Sequence, residues 1–427
     1  MVSDSPHEAL FLIAASPRLM KSNALKIVHV VPSLALRSGG LAVCVAECAA
    51  AMADLGVESR IFTTDMAGPP SAKRRRVVAT GDLPIVARAL DVTFGSVRWP
   101  RRFAYAPSMR TALREATREA DLVNIHSLFL YPQYVAWRAA VAAGTPYIVT
   151  VHGALDPYLR RRGRLRKRVI ADLWQSKMLD GAAALQLATE HEAAMITDIA
   201  PDVERIVVPI GIHAAAFRQL PTAASFRERR LEGHDGAIVL ALGRLSRVKG
   251  LDVLVRAFAG LASRHPDAIL VLAGPDDEGI EPMLRSLAQR LGVEDKVFFT
   301  GMLLPEERLE VLAAATLWAL PSHTENFAIA ALEALAAGLP VIVSPAVDLS
   351  RALEQHRAAV VTEASPEAFE RSMDELLSHP GRRLELGAAG REFALRYDWS
   401  RVAAETLETY EELLSRNSPN SRSGQTQ

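Results

Sequence analysis

From Lys26 onward the chain alternates short, β-rich apolar runs with longer stretches of helical periodicity. A run with no polar alternation marks a strand buried on both faces, and such runs separated by helices are the pattern of βαβ units in a parallel sheet. The pattern predicts strands at 26–32, 58–63, 121–126, 146–151, 182–187 and 205–209. A second series follows at 237–243, 268–273, 296–300, 316–320, 340–343 and 358–362. The join falls near 212–230, where Ile206-Val-Val-Pro-Ile gives way to a polar, Arg- and Glu-rich stretch. Each unit then holds about six strands, a common sheet size. The expected fold class is α/β, with two doubly wound, Rossmann-like domains facing each other across a cleft. Residues 1–22 read as a disordered leader, 23–215 as the N-terminal domain, 216–399 as the C-terminal domain and 417–427 as a disordered polar tail. An amphipathic helix at 400–416 comes after the second sheet is complete.

Bulk composition narrows the function classes. The 427 residues are 49% hydrophobic and carry 49 basic against 49 acidic side chains, so no global field draws the chain to nucleic acid. Cys44 and Cys48 sit four apart on an apolar helix, where small buried side chains are the expected reading rather than a disulfide or metal pair. The apolar stretch at 9–16 is short and lacks a positive flank, and no later run is long enough to span a bilayer. The expectation is a cytoplasmic protein, with Met20 a candidate alternative start.

In open α/β sheets ligands bind beyond the carboxyl ends of the strands, so residues just after strands are the ones to inspect. Ser38-Gly39-Gly40 follows the first strand and opens a helix, a place where backbone N–H groups suit phosphate, although such pairs are also plain turns. The second unit opens with Gly243-Arg-Leu-Ser-Arg-Val-Lys249-Gly250, in which Arg244 and Lys249 can converge on a diphosphate or stand solvated. Further on, Leu320-Pro-Ser-His-Thr-Glu325-Asn326-Phe327-Ala328 leads through Glu333 to Gly338 and Pro340 and reads as strand, loop, helix, strand. Glu325 is expected at the helix entrance and Glu333 two turns further in, about 12 Å along the axis by helix geometry. Carboxylates that far apart suit different hydroxyls of one extended ligand, with the amides of Asn326, Phe327 and Ala328 facing phosphate; equally, Glu325 only complements the helix dipole and Glu333 is a surface glutamate.

Two N-terminal strands end in histidine, at His126 and at His152-Gly153, positions from which an imidazole can enter the cleft or simply be satisfied in the structure. A dense basic run from Arg160 to Arg168 is either a solvated face or a contact for an anionic membrane surface or a pyrophosphate-bearing acceptor. There is no Walker loop, no G-x-S-x-G and no Asp-x-Asp of the kind that holds a divalent ion on a nucleotide.

Taken together these segments resemble the large retaining glycosyltransferase family GT4. The resemblance runs from Gly39-Gly40 to the closing Tyr397-Asp-Trp-Ser and last helix, and its most specific piece is the E-x7-E element from Glu325 to Glu333. It implies a GT-B fold, a metal-independent transfer with retention from a UDP- or GDP-sugar used as substrate, and no cofactor. It further implies that Arg244 and Lys249 bind the donor diphosphate, Glu325 the donor sugar and Glu333 the ribose. Gly39 and Gly40 would approach the phosphates from the other domain, His152 would sit by the transferred sugar, and the last helix would cross back onto the N-terminal domain. The acceptor implied is a glycan or lipid-linked intermediate of surface-polysaccharide synthesis, at the inner face of the membrane. One departure stands out: Ala328 follows Phe327 where the family usually has glycine. Two rivals remain at this point, a nucleotide-sugar epimerase of similar architecture and a non-catalytic subunit of a polysaccharide assembly complex.

Overall fold

The computed structural model describes residues 24–38, 40–66, 79, 82–156 and 170–417. The expected leader at 1–22, the glycine at 39, the basic run at 160–168 and all of the tail beyond Asn417 lie outside them.

The first sheet has the order β3-β2-β1-β4-β5-β6-β7, where β1 is Lys26–Val30, β2 Glu58–Thr64, β3 Asp91–Gly95, β4 Leu122–His126, β5 Tyr147–Thr150, β6 Ala184–Leu187 and β7 Arg205–Val207. The second has the order β10-β9-β8-β11-β12-β13, with β8 Ile238–Leu242, β9 Ile269–Ala273, β10 Val297–Gly301, β11 Leu317–Leu320, β12 Val341–Val343 and β13 Val360–Val361. Every pairing is parallel. The twelve runs read from the apolar pattern each overlap one of these strands, to within a residue at the ends of β2 and β10; β3 was not among them. Its Asp-Val-Thr-Phe-Gly sequence lies at the sheet edge with four of five residues not fully buried, so it lacks the unbroken apolar run that marks a central strand. The first sheet therefore has seven strands rather than about six.

The described helices of the first half are α1 (Gly40–Ala53), α2 (Met109–Glu119), α3 (Tyr131–Ala143), α4 (Ser176–Asp180) and α5 (Glu190–Met195). Those that follow are α6 (Ala223–Leu231), α7 (Leu251–Leu261), α8 (Glu281–Arg290), α9 (Pro305–Ala314), α10 (Ile329–Ala336), α11 (Ser350–Gln355), α12 (Pro366–Ser378), α13 (Pro380–Ala394) and α14 (Trp399–Asn417). Among the described residues none is long and apolar enough to cross a membrane.

Two apolar clusters sandwich the second sheet, one under α10 and α13 and the other under α7, α8 and α12. The Arg- and Glu-rich join packs on the same side, since Phe217 and Phe226 belong to the first of these clusters. Helix α14 leaves the second sheet and returns to the first, where Ala403, Tyr410 and Leu413 pack with Ile27, Leu122, Ile148 and Ala184. The Tyr410 hydroxyl there donates to Gln186 Oε1 at 2.5 Å and accepts from Asn124 Nδ2 at 3.0 Å, so the polar tip of the buried ring is satisfied.

Candidate functional site

In each sheet the strand order reverses direction between two central strands, β1 and β4 in the first and β8 and β11 in the second. A crevice opens at such a switch point beyond the carboxyl ends of the strands. The loops after β1, β4, β8 and β11 carry most of the residues picked out from the sequence.

On the C-terminal wall, β8 runs into Gly243, whose φ of 139° suits only glycine. Arg244 follows, exposed and with no hydrogen bond or ion pair to any described residue. A short 3₁₀ turn, Arg247–Lys249, then brings Lys249 Nζ to 2.7 Å from Glu325 Oε2. Both side chains are largely withdrawn from water, at 15% and 20% exposure, a setting in which each charge needs the other. The two loops that present them are tied together. His323 N donates to Val248 O at 2.7 Å, the Ser322 hydroxyl donates to the same carbonyl at 2.9 Å, and the Ser344 hydroxyl donates to Ser322 O at 2.5 Å.

Glu325 is not at a helix entrance. It lies in extended backbone that bridges Val347, with Glu325 N donating to Ala346 O and Asp348 N donating to Glu325 O, both at 3.0 Å. Helix α10 starts only at Ile329, four residues later, so the axial spacing inferred for the two glutamates does not apply. The delay comes from Ala328, whose φ of 53° is left-handed and breaks the helix before it. Phe327 is a core residue, 3% exposed and edge-on to Tyr397, so only its backbone is available to a ligand. Asn326 spans the cleft: with its amide oxygen toward Gly153 N (3.1 Å), its NH2 group faces Asp348 Oδ2 (3.2 Å). Glu333, on α10, is paired with Arg308 of α9 rather than standing as an isolated surface glutamate.

On the N-terminal wall, Gly40 is the first residue of α1, and a Cβ built there would lie 3.3 Å from Ile329 Cδ1. The N-termini of α1 and α10 thus meet across the crevice, where the N–H groups of a helix's first turn have no partner within the helix and suit an anion. His126, at the end of β4, does not enter the cleft; it is 4% exposed and enclosed between two other histidines. His29 Nδ1 lies 3.1 Å from His126 Nε2, and His126 Nδ1 lies 3.0 Å from His152 Nε2. Burial lowers His29 to about 4; it also takes His126 well below the usual value, with the neighbouring His152 and His29 adding to the effect. His152 falls to about 4 by burial of its imidazole, although the residue as a whole is only half-buried. All three imidazoles are therefore neutral near pH 7.

The His152-Gly153 turn is left-handed at both residues, with φ of 51° and 72°. Glu192 holds it, accepting from Gly153 N at 2.7 Å through one carboxylate oxygen and from Ala188 N at 2.8 Å through the other. Across the seam, Thr189 Oγ1 donates to Asp348 Oδ2 and Thr324 Oγ1 to Asp156 Oδ2, each at 3.2 Å. Burial raises Asp348 to about 7; the Thr189 hydrogen bond opposes this, and repulsion from Glu192, Asp156 and Glu325 adds to it.

His29, Glu192, Asp348, Ser322 and Ser344 had not been singled out by sequence reasoning. Glu192 did leave a signal, because Thr189-x-x-Glu192 is a helix-start pattern and Thr189 does cap α5. Its carboxylate, however, serves a loop 39 residues away. Cys44 and Cys48 are both free, Cys44 against Trp399 and Val402, and burial pushes both thiols up, Cys48 to about 12.

Residues 39–211 match the family model described as glycosyl transferase 4-like domain, and residues 223–393 match glycosyl transferases group 1. A D-inositol 3-phosphate glycosyltransferase of Thermobispora bispora is 30% identical over 400 residues, which is 89% of this chain and 91% of that protein. Among solved structures, Anabaena HepE in complex with UDP and glucose is similar with a TM-score of 0.72 at 18% identity, over 91% of this chain and 100% of that one. The sucrose-phosphate synthase of Thermosynechococcus elongatus gives 0.70 at 19% identity, over 92% and 100%.

Proposed function

The chain belongs to the group 1 glycosyl transferases and is a glycosyltransferase with the GT-B fold, and from that premise we propose that it transfers a sugar, with retention, from a nucleoside-diphosphate donor to a glycan or lipid-linked acceptor. Membership favours a transferase over the epimerase and over a non-catalytic subunit. The observation that carries the site assignment is the Lys249–Glu325 pair, 2.7 Å apart beside the meeting helix ends of α1 and α10. Lys249 and Arg244 take the charge of the departing diphosphate, helped by backbone N–H groups at Gly40 and the 326–328 loop. When the diphosphate binds, Lys249 gains a second anionic partner and Glu325 is freed to accept from hydroxyls of the donor sugar. Glu333, steadied by Arg308, accepts from the ribose, and His152 borders the transferred sugar. The acceptor attacks from the leaving-group face.

HepE was solved with UDP, which favours a uridine donor over a guanosine one here. The acceptor side is the half at 23–215, with the donor bound by 216–399. An anionic acceptor or a membrane surface fits the basic run at 160–168. Arg110, Arg114 and Arg138, which line a cavity of about 140 Å³ between α2 and α3, add positive charge to the same half. Surface-polysaccharide synthesis at the inner face of the membrane is the role this supports.

Replacing Lys249 by Ala tests the assignment. Transfer from the UDP-sugar identified by a thermal-shift panel should fall about 100- to 1,000-fold, as for loss of one group stabilising a leaving anion. Near-normal transfer by a folded Lys249→Ala protein sinks it, and an inverted anomeric coupling in the product NMR spectrum sinks retention.

A further inference from the structure

The three histidines form one chain of hydrogen bonds: His29 Nδ1 to His126 Nε2 at 3.1 Å, then His126 Nδ1 to His152 Nε2 at 3.0 Å. A neutral imidazole has one N–H and one lone pair. His126 bonds on both sides, so if it donates to one neighbour it accepts from the other, and the two bonds must point the same way. Only two arrangements of protons satisfy this. In the first, His29 Nδ1–H donates to His126, His126 Nδ1–H donates to His152 Nε2, and the proton of His152 is left on Nδ1. In the second every proton moves to Nε2, so that His152 donates inward and His29 carries an Nε2–H.

The far end of the chain decides between them. His29 Nε2 is buried and has no hydrogen-bond partner among the described residues. In the first arrangement it is an unused lone pair; in the second it is a buried N–H with nothing to donate to. Orphaned buried N–H groups are the rarer of the two defects in folded proteins. At the near end, His152 Nδ1 makes no hydrogen bond to any described residue, and the residue is half-buried where His29 and His126 are buried.

We propose that His29 and His126 are positioning residues that lock His152 as its Nδ1–H tautomer, so that His152 meets the donor sugar as a hydrogen-bond donor and not as a base. The inference rests on the placement of His152 beside the transferred sugar in the function proposed above. A fixed N–H at that point selects a sugar oxygen that accepts, and it leaves no lone pair on the exposed nitrogen to take a proton from an attacking hydroxyl. That agrees with a transfer in which the departing diphosphate, rather than a side chain, receives the acceptor's proton.

Long-range ¹H–¹⁵N correlation of the histidine-labelled full chain reads the tautomer directly, with signals assigned by single substitutions. Protonation on Nδ1 is expected at His29, His126 and His152, and an Nε2–H on His152 overturns the relay whatever the kinetics show. His126→Asn keeps an NH2 group where Nδ1 stood and should retain both the His152 tautomer and turnover. In His126→Leu nothing donates to His152 Nε2, so Nδ1–H should no longer be the sole tautomer and kcat/KM should fall by up to about tenfold, the effect of one misplaced hydrogen bond; a His152 that stays wholly Nδ1–H there shows that His126 does not lock it. If the tautomer shifts in His126→Leu and turnover does not, the placement of His152 at the sugar is wrong while the relay stands. Should that variant fail to fold, the wild-type spectrum and the Asn variant still decide.

Discussion

The N-terminal wall of the cleft carries a neutral set of three histidines and the C-terminal wall two ion pairs. His29, His126 and His152 are stacked in series, rings 5.4 and 5.3 Å apart, and burial keeps them uncharged. Facing them, Lys249 with Glu325 and Arg308 with Glu333 form partly buried ion pairs. Burial disfavours an unpaired charge, and each wall answers it differently, one by giving up the proton and the other by supplying a counterion. In the proposed reaction the charged wall exchanges partners as the diphosphate binds, and the neutral histidines meet the sugar without adding to the field on the leaving group.

The contrast should show most strongly in the pH dependence of stability. His29 and His152 take up a proton near pH 6.5 when unfolded but only near pH 4 when folded. The unfolded chain therefore binds more protons in that window, and stability that is complete above pH 6.5 is lost as pH falls toward 4, on the order of 2–3 kcal/mol for each ring. Asp348 acts the other way: its folded value of about 7 against an ordinary 3.8 means that stability is lost as pH rises through that range. Urea unfolding of the wild type should give a steep acid limb below pH 6.5, and Asp348→Asn should be more stable than wild type at pH 8 while keeping that limb. A flat profile from pH 4 to 6.5 would mean that the histidines are not buried as a neutral set.

On the charged wall, Glu325→Gln leaves the Lys249 ammonium without its counterion. A loss of about 2 kcal/mol is expected at pH 7, below the full cost for a completely buried pair because both side chains keep some water contact. Chemical denaturation measures it, and the double variant with Lys249→Met should recover part of the loss. Unchanged stability in Glu325→Gln would show that the pair is solvated in solution.

The smallest effect belongs to the hinge between loop and helix. Ala328 holds a left-handed φ of 53°, a conformation that costs an L-residue about 1 kcal/mol and that glycine adopts freely. Ala328→Gly should stabilise the protein by about that amount, and a lower KM for donor would show that the methyl also crowds the ligand. A destabilised Ala328→Gly would mean that the methyl's packing, at 6% exposure, outweighs the backbone strain.

The charged wall was legible in the chain because its parts are contiguous. Gly243 to Gly250 and Glu325 to Glu333 are each a single stretch following a strand, and local order suffices to place Arg244, Lys249 and Glu325 near one crevice. Sequence reasoning went astray on the start of α10, because left-handed backbone at a non-glycine residue leaves no mark in composition. The neutral wall was hardly legible. His29 sits inside Lys-Ile-Val-His-Val, where it looks like any polar interruption of a strand, and it meets His126 only because β1 and β4 are neighbours although 97 residues separate the two rings.

The alternation of apolar runs and helical periods determined by itself that this chain forms two parallel sheets, since only that arrangement buries strands on both faces. The short motifs likewise determined which loops would bear cations and carboxylates. Tertiary structure alone decided that Glu192 would grip the His152 turn, that Asn326 would reach across to Gly153, and that three histidines at or just after separate strands would line up within hydrogen-bond distance. Those contacts join residues far apart in the chain, and their energies arise from mutual burial, which no local pattern records.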